Sequence, residues 1–192
     1  MSDAAPQRPL TVTVGGLAGT GTSTLCRLLA AHLDLPYTYA GALFRQEAAR
    51  RSMTLAEFGQ LCQDDPAVDR SLDDRQLELL QAGGVLLEGR MAGWLAAHHD
   101  VDAFTVWVVC DEDERMRRIA GRDGGAVAEQ RERTLAREAS EHARFASYHG
   151  ADLTDLSIYD LVLDSTTREP STLVEAVLDG MRAAGVAIRT AC

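Results

Sequence analysis

Residues 15–24 read GGLAGTGTST, with four residues between Gly16 and Gly21 and then Thr22 and Ser23. This is the spacing of a phosphate-binding loop, whose backbone N–H groups wrap a phosphate and whose hydroxyl at the Ser23 position ligates Mg²⁺. Glycines let the main chain approach the anion with no Cβ in the way, and a following helix adds its positive end. The candidate nucleotide-binding residues are Gly16, Leu17, Ala18, Gly19, Thr20, Gly21, Thr22, Ser23 and Thr24. Thr22 stands where the loop's lysine belongs. The chain has no lysine at all, and its 19 basic residues are all arginine. A threonine hydroxyl gives a neutral hydrogen bond, about half as strong as a charge-assisted one. Either the loop binds nucleotide without chemistry, or arginine and Mg²⁺ supply the missing cation, because phosphoryl transfer is mostly positioning and electrostatics.

Candidate arginines fall in three groups. Arg45 follows the second strand, Arg90 follows the third, and Arg118, Arg122, Arg137 and Arg144 belong to the arginine-rich stretch from Asp111 to Tyr148. Ligands of open α/β sheets sit beyond the C-terminal ends of the strands, which places Arg45 and Arg90 at an acceptor phosphate. Arg118 and Arg122, one turn apart, are placed to close over a donor. Glu141 lies between Arg137 and Arg144 and offers each an ordinary helix ion pair instead. Arg8, Arg182 and Arg189 read as solvated. Glu88 ends an apolar strand beside the loop, where a carboxylate either holds magnesium through its waters, with Ser23 as the second candidate metal residue, or pairs with an arginine. Among the acids Asp64, Asp65, Asp69, Asp73 and Asp74, most read as solvated helix charges, and one or two have the chemistry to read a base.

These groups need a scaffold, and the pattern supplies one. Leu10–Val14 is a buried strand that ends in glycine, and Thr22–Leu33 follows at helical spacing, so the loop sits between strand and helix as its chemistry requires. Further strands are expected at 36–39, 85–87, 103–110 and 159–163. Helices are expected at 43–51, 54–62, 66–81, up to His98, 111–122, 126–148 and 172–184, and Ala40-Gly41 reads as a break. Thr54 and Thr172 begin capping-box patterns. Alternating strands and helices give an α/β domain with a parallel sheet, and the helices around Pro66 form an insert between strands two and three.

Length allows one domain of 192 residues, and the net charge of −10 disfavours duplex nucleic acid and anionic lipid, both of which need a basic face. Cys26, Cys62, Cys110 and Cys192 have no metal-ligand spacing and read as reduced thiols of a cytoplasmic protein. The start of the chain, MSDAAPQRP, is polar and carries neither signal nor span, so no membrane partner is expected.

Taken together, GGLAGTGTST at 15–24, AGALFR at 40–45, DDPAVDRSLDDRQLEL at 64–79, LEGRMAGW at 87–94 and DLSIYDLVLDS at 155–165 resemble the archaeal-type cytidylate kinases over roughly residues 10–180. The resemblance implies a P-loop nucleoside monophosphate kinase fold: a five-stranded parallel sheet flanked by helices (core 10–40, 83–118 and 150–186), a helical monophosphate-binding insert at 41–82 and a short lid at 119–130. It implies ATP as donor, Mg²⁺, and CMP or dCMP as acceptor. Arg45 and Arg90 match arginines near the acceptor, Arg137 and Arg144 match a helix pair that reaches the phosphates, and Ser165–Thr167 fall where adenine is contacted. The family tolerates threonine at the lysine position. Ala18 stands in place of a usual proline, and Ala42 in place of an acid. A same-fold kinase of another CMP-like or phosphonate-bearing metabolite, and a non-catalytic nucleotide-binding module, are the alternative functions. No nucleic acid partner is expected, and the sequence leaves the oligomeric state open.

Overall fold

The computed structural model describes residues 9–188. The expectations for residues 1–8, Arg8, Arg189 and Cys192 lie outside the described residues, as does the side chain of Asp69. A five-stranded, all-parallel sheet in the order β2-β3-β1-β4-β5 forms the centre. Its strands are β1 Val12–Gly16, β2 Tyr37–Tyr39, β3 Leu86–Glu88, β4 Phe104–Val109 and β5 Leu161–Asp164. The helices are α1 Thr22–Leu33, α2 Ala40–Arg50, α3 Leu55–Asp64, α4 Pro66–Ala82, α5 Ala92–His98, α6 Glu112–Asp123, α7 Val127–His149 and α8 Pro170–Ala183. β1 lies between β3 and β4, with Val14 level with Glu88 on one side and Val106 on the other. The register therefore brings the loop after β1 next to the end of β3.

Packing explains the layers. Val12, Val14, Val106 and Val108 meet Leu25 and Leu29 of α1 and Val177 and Met181 of α8 in one apolar cluster. Leu87, Met91, Trp94 and Leu95 meet Leu80 and Phe145 in a second. The near-continuous apolar run of β4 follows from this, since both faces of a central parallel strand are covered. Ala48, Phe58, Cys62, Val68 and Leu72 form a third, separate cluster within α2–α4.

Local signals account for most helix ends. Thr54 makes the expected capping box with Glu57, and Asp65 caps α4 ahead of Pro66. Two expectations are corrected. Ala40-Gly41 ends the second strand as expected, but α2 starts there rather than at Leu43, with Gly41 so close to the Tyr39 ring that a Cβ would lie 2.6 Å from it. α8 starts at Pro170 after Glu169, so Thr172 lies inside its first turn rather than capping it, because proline's fixed φ suits the first helical position.

Candidate active site

The loop from Gly16 to Ser23 leaves β1 and enters α1 through two left-handed glycines, Gly19 at φ 85 and Gly21 at φ 88. A Cβ on Gly19 would lie 2.7 Å from the carbonyl oxygen of Arg115, so both the conformation and the space call for glycine. Thr20 folds inward, its hydroxyl donating to the Leu17 carbonyl at 2.9 Å. Gly21 is the N-cap of α1 and provides no side-chain cap, and the helix has no acid in its first turn. Among the described residues, the N–H groups of Gly19, Gly21, Thr22 and Ser23 make no hydrogen bond. Successive unpaired amides around left-handed glycines, at the positive end of a helix, make a concave anion site.

The hydroxyls of the loop face β3. Thr22 donates to Glu88 Oε1 at 2.8 Å, Ser23 donates to the same oxygen at 2.7 Å, and the Tyr37 phenol donates to Oε2. Glu88 is 4% exposed, and hydroxyls, not an arginine, are its partners. The Tyr37 phenol is pushed up, by burial first and by its bond to Glu88 second, and burial raises the neighbouring Cys26 thiol. Thr22, read from its spacing as a nucleotide contact, thus turns its side chain away from the loop's mouth and leaves its N–H there. For a divalent ion the fit is sound but partial. Ser23 and Glu88 bring two oxygen donors together, and no cluster of three metal-ligating side chains exists among the described residues. That set suits Mg²⁺, which keeps waters and takes phosphate oxygens rather than filling an all-protein cage.

The structure separates the candidate arginines into distinct settings. Arg118 is fixed: it donates to Glu114 at 2.7 Å and to the carbonyls of Ser165 and Thr166 at 2.8 and 3.2 Å, with its guanidinium 3.8 Å from where a Gly21 Cβ would be. Ser165 is buried and donates to the Thr20 carbonyl at 2.8 Å, and Thr166 bonds Asp164, so Thr167 is the exposed member of that trio. Arg90 is half-buried just after β3 and pairs with Glu141 of α7. Burial first, and the charge of Arg137 second, push its pKa down to about 10. Arg137 approaches the other Glu141 oxygen at 3.7 Å. Arg122 pairs with Asp123 at 2.7 Å and shares with Arg137 a cleft of about 170 Å³ between α6 and α7. Arg45 is exposed and lies 5.4 Å over the Tyr39 ring, while Arg144 lies 5.1 Å over Phe145. Glu141 therefore joins Arg137 to Arg90. Arg182 pairs with Asp179 on the surface of α8.

Two functional-looking pairs escaped the spacing argument: Arg115 with Glu138, and Gln76 with His149, the partners of Asp73. Arg115, 4% exposed, donates to the Ala18 carbonyl at 2.9 Å and to both oxygens of Glu138 at 2.7 and 3.2 Å, and Glu138 accepts the Ala18 N–H at 3.2 Å. This pair clamps the crown of the loop on both sides of Ala18. The contacts span 97 and 120 residues, so no local pattern announces them. Asp73, Gln76 and His149 form a buried polar chain between α4 and the end of α7. A hollow of about 560 Å³ lies between α2 and α4, lined by residues such as Glu47, Arg50 and Arg75. No loop residue lines it and Glu47 is already paired with Arg50, so the chemistry belongs to the loop and the strand ends.

Comparisons with known proteins agree with this geometry. Residues 11–167 match the model of the cytidylate kinase-like family. A cytidylate kinase from Pyrococcus furiosus is 39% identical over 183 residues, covering 94% of each chain. One from Methanopyrus kandleri is 40% identical over 178 residues, covering 88% of this chain and 92% of that protein. Among solved structures, an uncharacterized protein from Eubacterium ventriosum superposes with a TM-score of 0.70 at 14% identity, over 92% of this chain and 99% of that one. Shikimate kinase from Bacteroides thetaiotaomicron does so with 0.58 at 17% identity, with the same coverage. Those likenesses carry the fold, a parallel sheet shared with P-loop kinases. The sequence match carries the family: this chain belongs to the cytidylate kinase-like family.

Proposed function

We infer that this chain transfers the γ-phosphoryl group of ATP to CMP, with dCMP as a second acceptor, giving the diphosphate and ADP. The observation that carries the reading is the set of four unpaired loop N–H groups beside the Ser23–Glu88 pair, with Arg90 and Arg137 drawn together across the strand ends. The relatives named above as cytidylate kinases support the choice of acceptor.

The chemistry follows from where charge must go. An oxygen of the acceptor monophosphate attacks the γ-phosphorus; a P–O bond forms as the bond to the β-phosphate oxygen breaks, and ADP leaves with that electron pair. The acceptor phosphate is ionised near neutral pH, so it needs orientation, not a general base. The loop amides and the start of α1 hold the donor's phosphates. Arg118 stands beside Gly21, fixed by the β5–α8 turn. Arg90 and Arg137 orient the acceptor phosphate, with Arg45 at the insert side and Arg122 and Arg144 joining as α7 closes. Ser23 and Glu88 would hold Mg²⁺, and the ion would supply positive charge to the donor's phosphates. We take α2–α4, which carry their own apolar cluster, as the monophosphate-binding insert of residues 41–82, and residues 119–130, where Gly124 and Gly125 interrupt α6 and α7, as the lid. No helix of the described residues is long and apolar enough to cross a membrane, and we place the reaction in the cytoplasm.

The test is ADP release measured with CMP, dCMP, UMP and AMP, for the wild type and Arg90→Ala. Saturable, CMP-dependent ADP formation that the variant loses while keeping its fold is the expected result. No acceptor-dependent ADP with any of the four ends the reading.

A further inference from the structure

One polar group at the acceptor cleft has no role in the chemistry above. Gln76, on α4, is 6% exposed, and its Nε2 donates to Asp73 Oδ1 at 2.8 Å. Asp73 is as deeply buried, and its other oxygen is 2.9 Å from Nε2 of His149, the last residue of α7. An ionised carboxylate only accepts, so Asp73 dictates which way the amide faces: nitrogen towards Asp73, oxygen away. That oxygen is buried and has no hydrogen-bond partner. Native proteins leave few such atoms, and each one asks for a reason.

The direction of Oε1 gives the reason. It faces Gly89, where a Cβ would lie 3.0 Å from Oε1 and 3.0 Å from the Ala40 Cβ. Gly89 immediately precedes Arg90, and Ala40 opens α2 at the end of β2. The unpaired acceptor is therefore at the C-terminal ends of β2 and β3, where ligands of such sheets bind. The neighbours it meets there, Gly89 and Ala40, are both small, so neither fills the space in front of the amide oxygen with a bulky side chain.

We propose that Gln76 Oε1 receives a hydrogen bond from the exocyclic 4-amino group of the acceptor's pyrimidine, and that Asp73 and His149 are positioning residues that lock the amide in that sense. The enzyme's choice between a 4-amino and a 4-oxo pyrimidine then rests on one oriented amide. A 4-oxo base sets its own acceptor against Oε1 with no proton between them, and the Gln76 nitrogen cannot turn to help because Asp73 holds it. A site built to hydrogen-bond a substrate group rejects the analogue that lacks it more strongly than an apolar pocket would.

This inference rests on the CMP kinase reading, and the experiment separates the two. kcat/KM is measured with CMP and UMP for the wild type, Gln76→Met and Asp73→Asn, with thermal melts as the folding control. Gln76→Met keeps the volume and removes the acceptor; it is expected to lose about tenfold or more with CMP and little with UMP. Asp73→Asn both donates and accepts, so it lets the amide turn over, and the UMP-to-CMP ratio is expected to rise about tenfold. A CMP-to-UMP ratio unchanged in both folded variants, or equal losses with both substrates, overturns the proposal by giving these residues a purely structural role. A wild type inactive with CMP overturns the kinase reading itself, and this inference with it.

Discussion

If Arg90 and Arg137 take the acceptor phosphate, Glu141 competes with it, and the competition has a measurable size. Its carboxylate pairs with half-buried Arg90 and approaches Arg137, the two guanidiniums we assign to the acceptor phosphate. Their side chains are 16% exposed for Arg90 and 24% for Glu141, so the pair is neither a screened surface contact nor a dry one. A charge-assisted contact of this kind contributes about 1.5–3 kcal/mol. An incoming phosphate has to take over or share those donors, and it recovers only part of that energy. Glu141→Gln removes the negative charge and keeps a weak acceptor. If about 1 kcal/mol of competition disappears, the Kd for CMP falls about fivefold. Stability moves the other way. Arg90, whose burial already pushes it down to about 10, loses its neutralising partner, and a loss of about 1–2 kcal/mol lowers Tm by roughly 3–6 °C in a chain of this size. Titration calorimetry with CMP and no ATP reads the first effect, and a thermal melt reads the second. Tighter CMP binding together with a lower Tm is the expected pair. A lower Tm with unchanged or weaker CMP binding refutes the reasoning, because Glu141 would then be holding the arginines in place for the phosphate instead of standing in for it.

Three further outcomes follow from contacts at the loop and on the insert. Thr22→Val keeps the shape and removes one of the hydroxyls on Glu88, so kcat/KM for ATP should fall about three- to tenfold with the fold intact, measured by coupled ADP release. Glu138→Ala leaves the Arg115 guanidinium buried without its carboxylate, a change that typically costs about 3–5 kcal/mol, so a melt should show Tm lower by roughly 10 °C and KM for ATP should rise as Ala18 loses its restraint. Glu47 is held down to about 2 by hydrogen bonds from Arg50 and then Arg51; its folded-state value lies below the ordinary 4.5, so its contribution is complete above that value and drains as pH falls towards 2. Glu47→Gln should flatten that acid limb of an unfolding curve by removing the contribution at neutral pH, a small loss because the Arg50 partner is exposed.

The parts of this molecule that could be read from sequence are the parts governed by local physics. β1, its glycine loop and α1 were legible because a strand, two positive-φ positions and a helix start each need particular residue types within about 20 residues. The capping box at Thr54, Pro66 at the start of α4 and the apolar run of β4 belong to the same class. The apparent cap at Thr172 failed because Pro170, two residues earlier, outcompeted it for the first turn. At the site, spacing identified Ser23 and Glu88 but not the direction of Thr22, because that direction depends on β3 lying next to β1. Arg115 and Glu138 were illegible for a plainer reason: in a helix rich in arginine and glutamate, nothing local marks the one pair that reaches across to Ala18.

The loop's missing lysine has a consistent explanation in this geometry. A lysine's ammonium is a mobile point charge on a flexible stem, whereas the cations here are planar guanidiniums, each fixed by more than one contact. Arg118 is held by Glu114 and two carbonyls, and Arg115 by Glu138 and the Ala18 carbonyl. Both come from α6, so the positive charge set against the loop is carried by one helix and not by the loop. Position 22 is then released for a different task. Its hydroxyl joins Ser23 and Tyr37 in satisfying a carboxylate that is 4% exposed and would otherwise be a buried acceptor with too few donors. A lysine there would bring a full charge against Glu88 in place of a neutral hydroxyl. Threonine leaves the Glu88 carboxylate oriented by neutral donors beside Ser23.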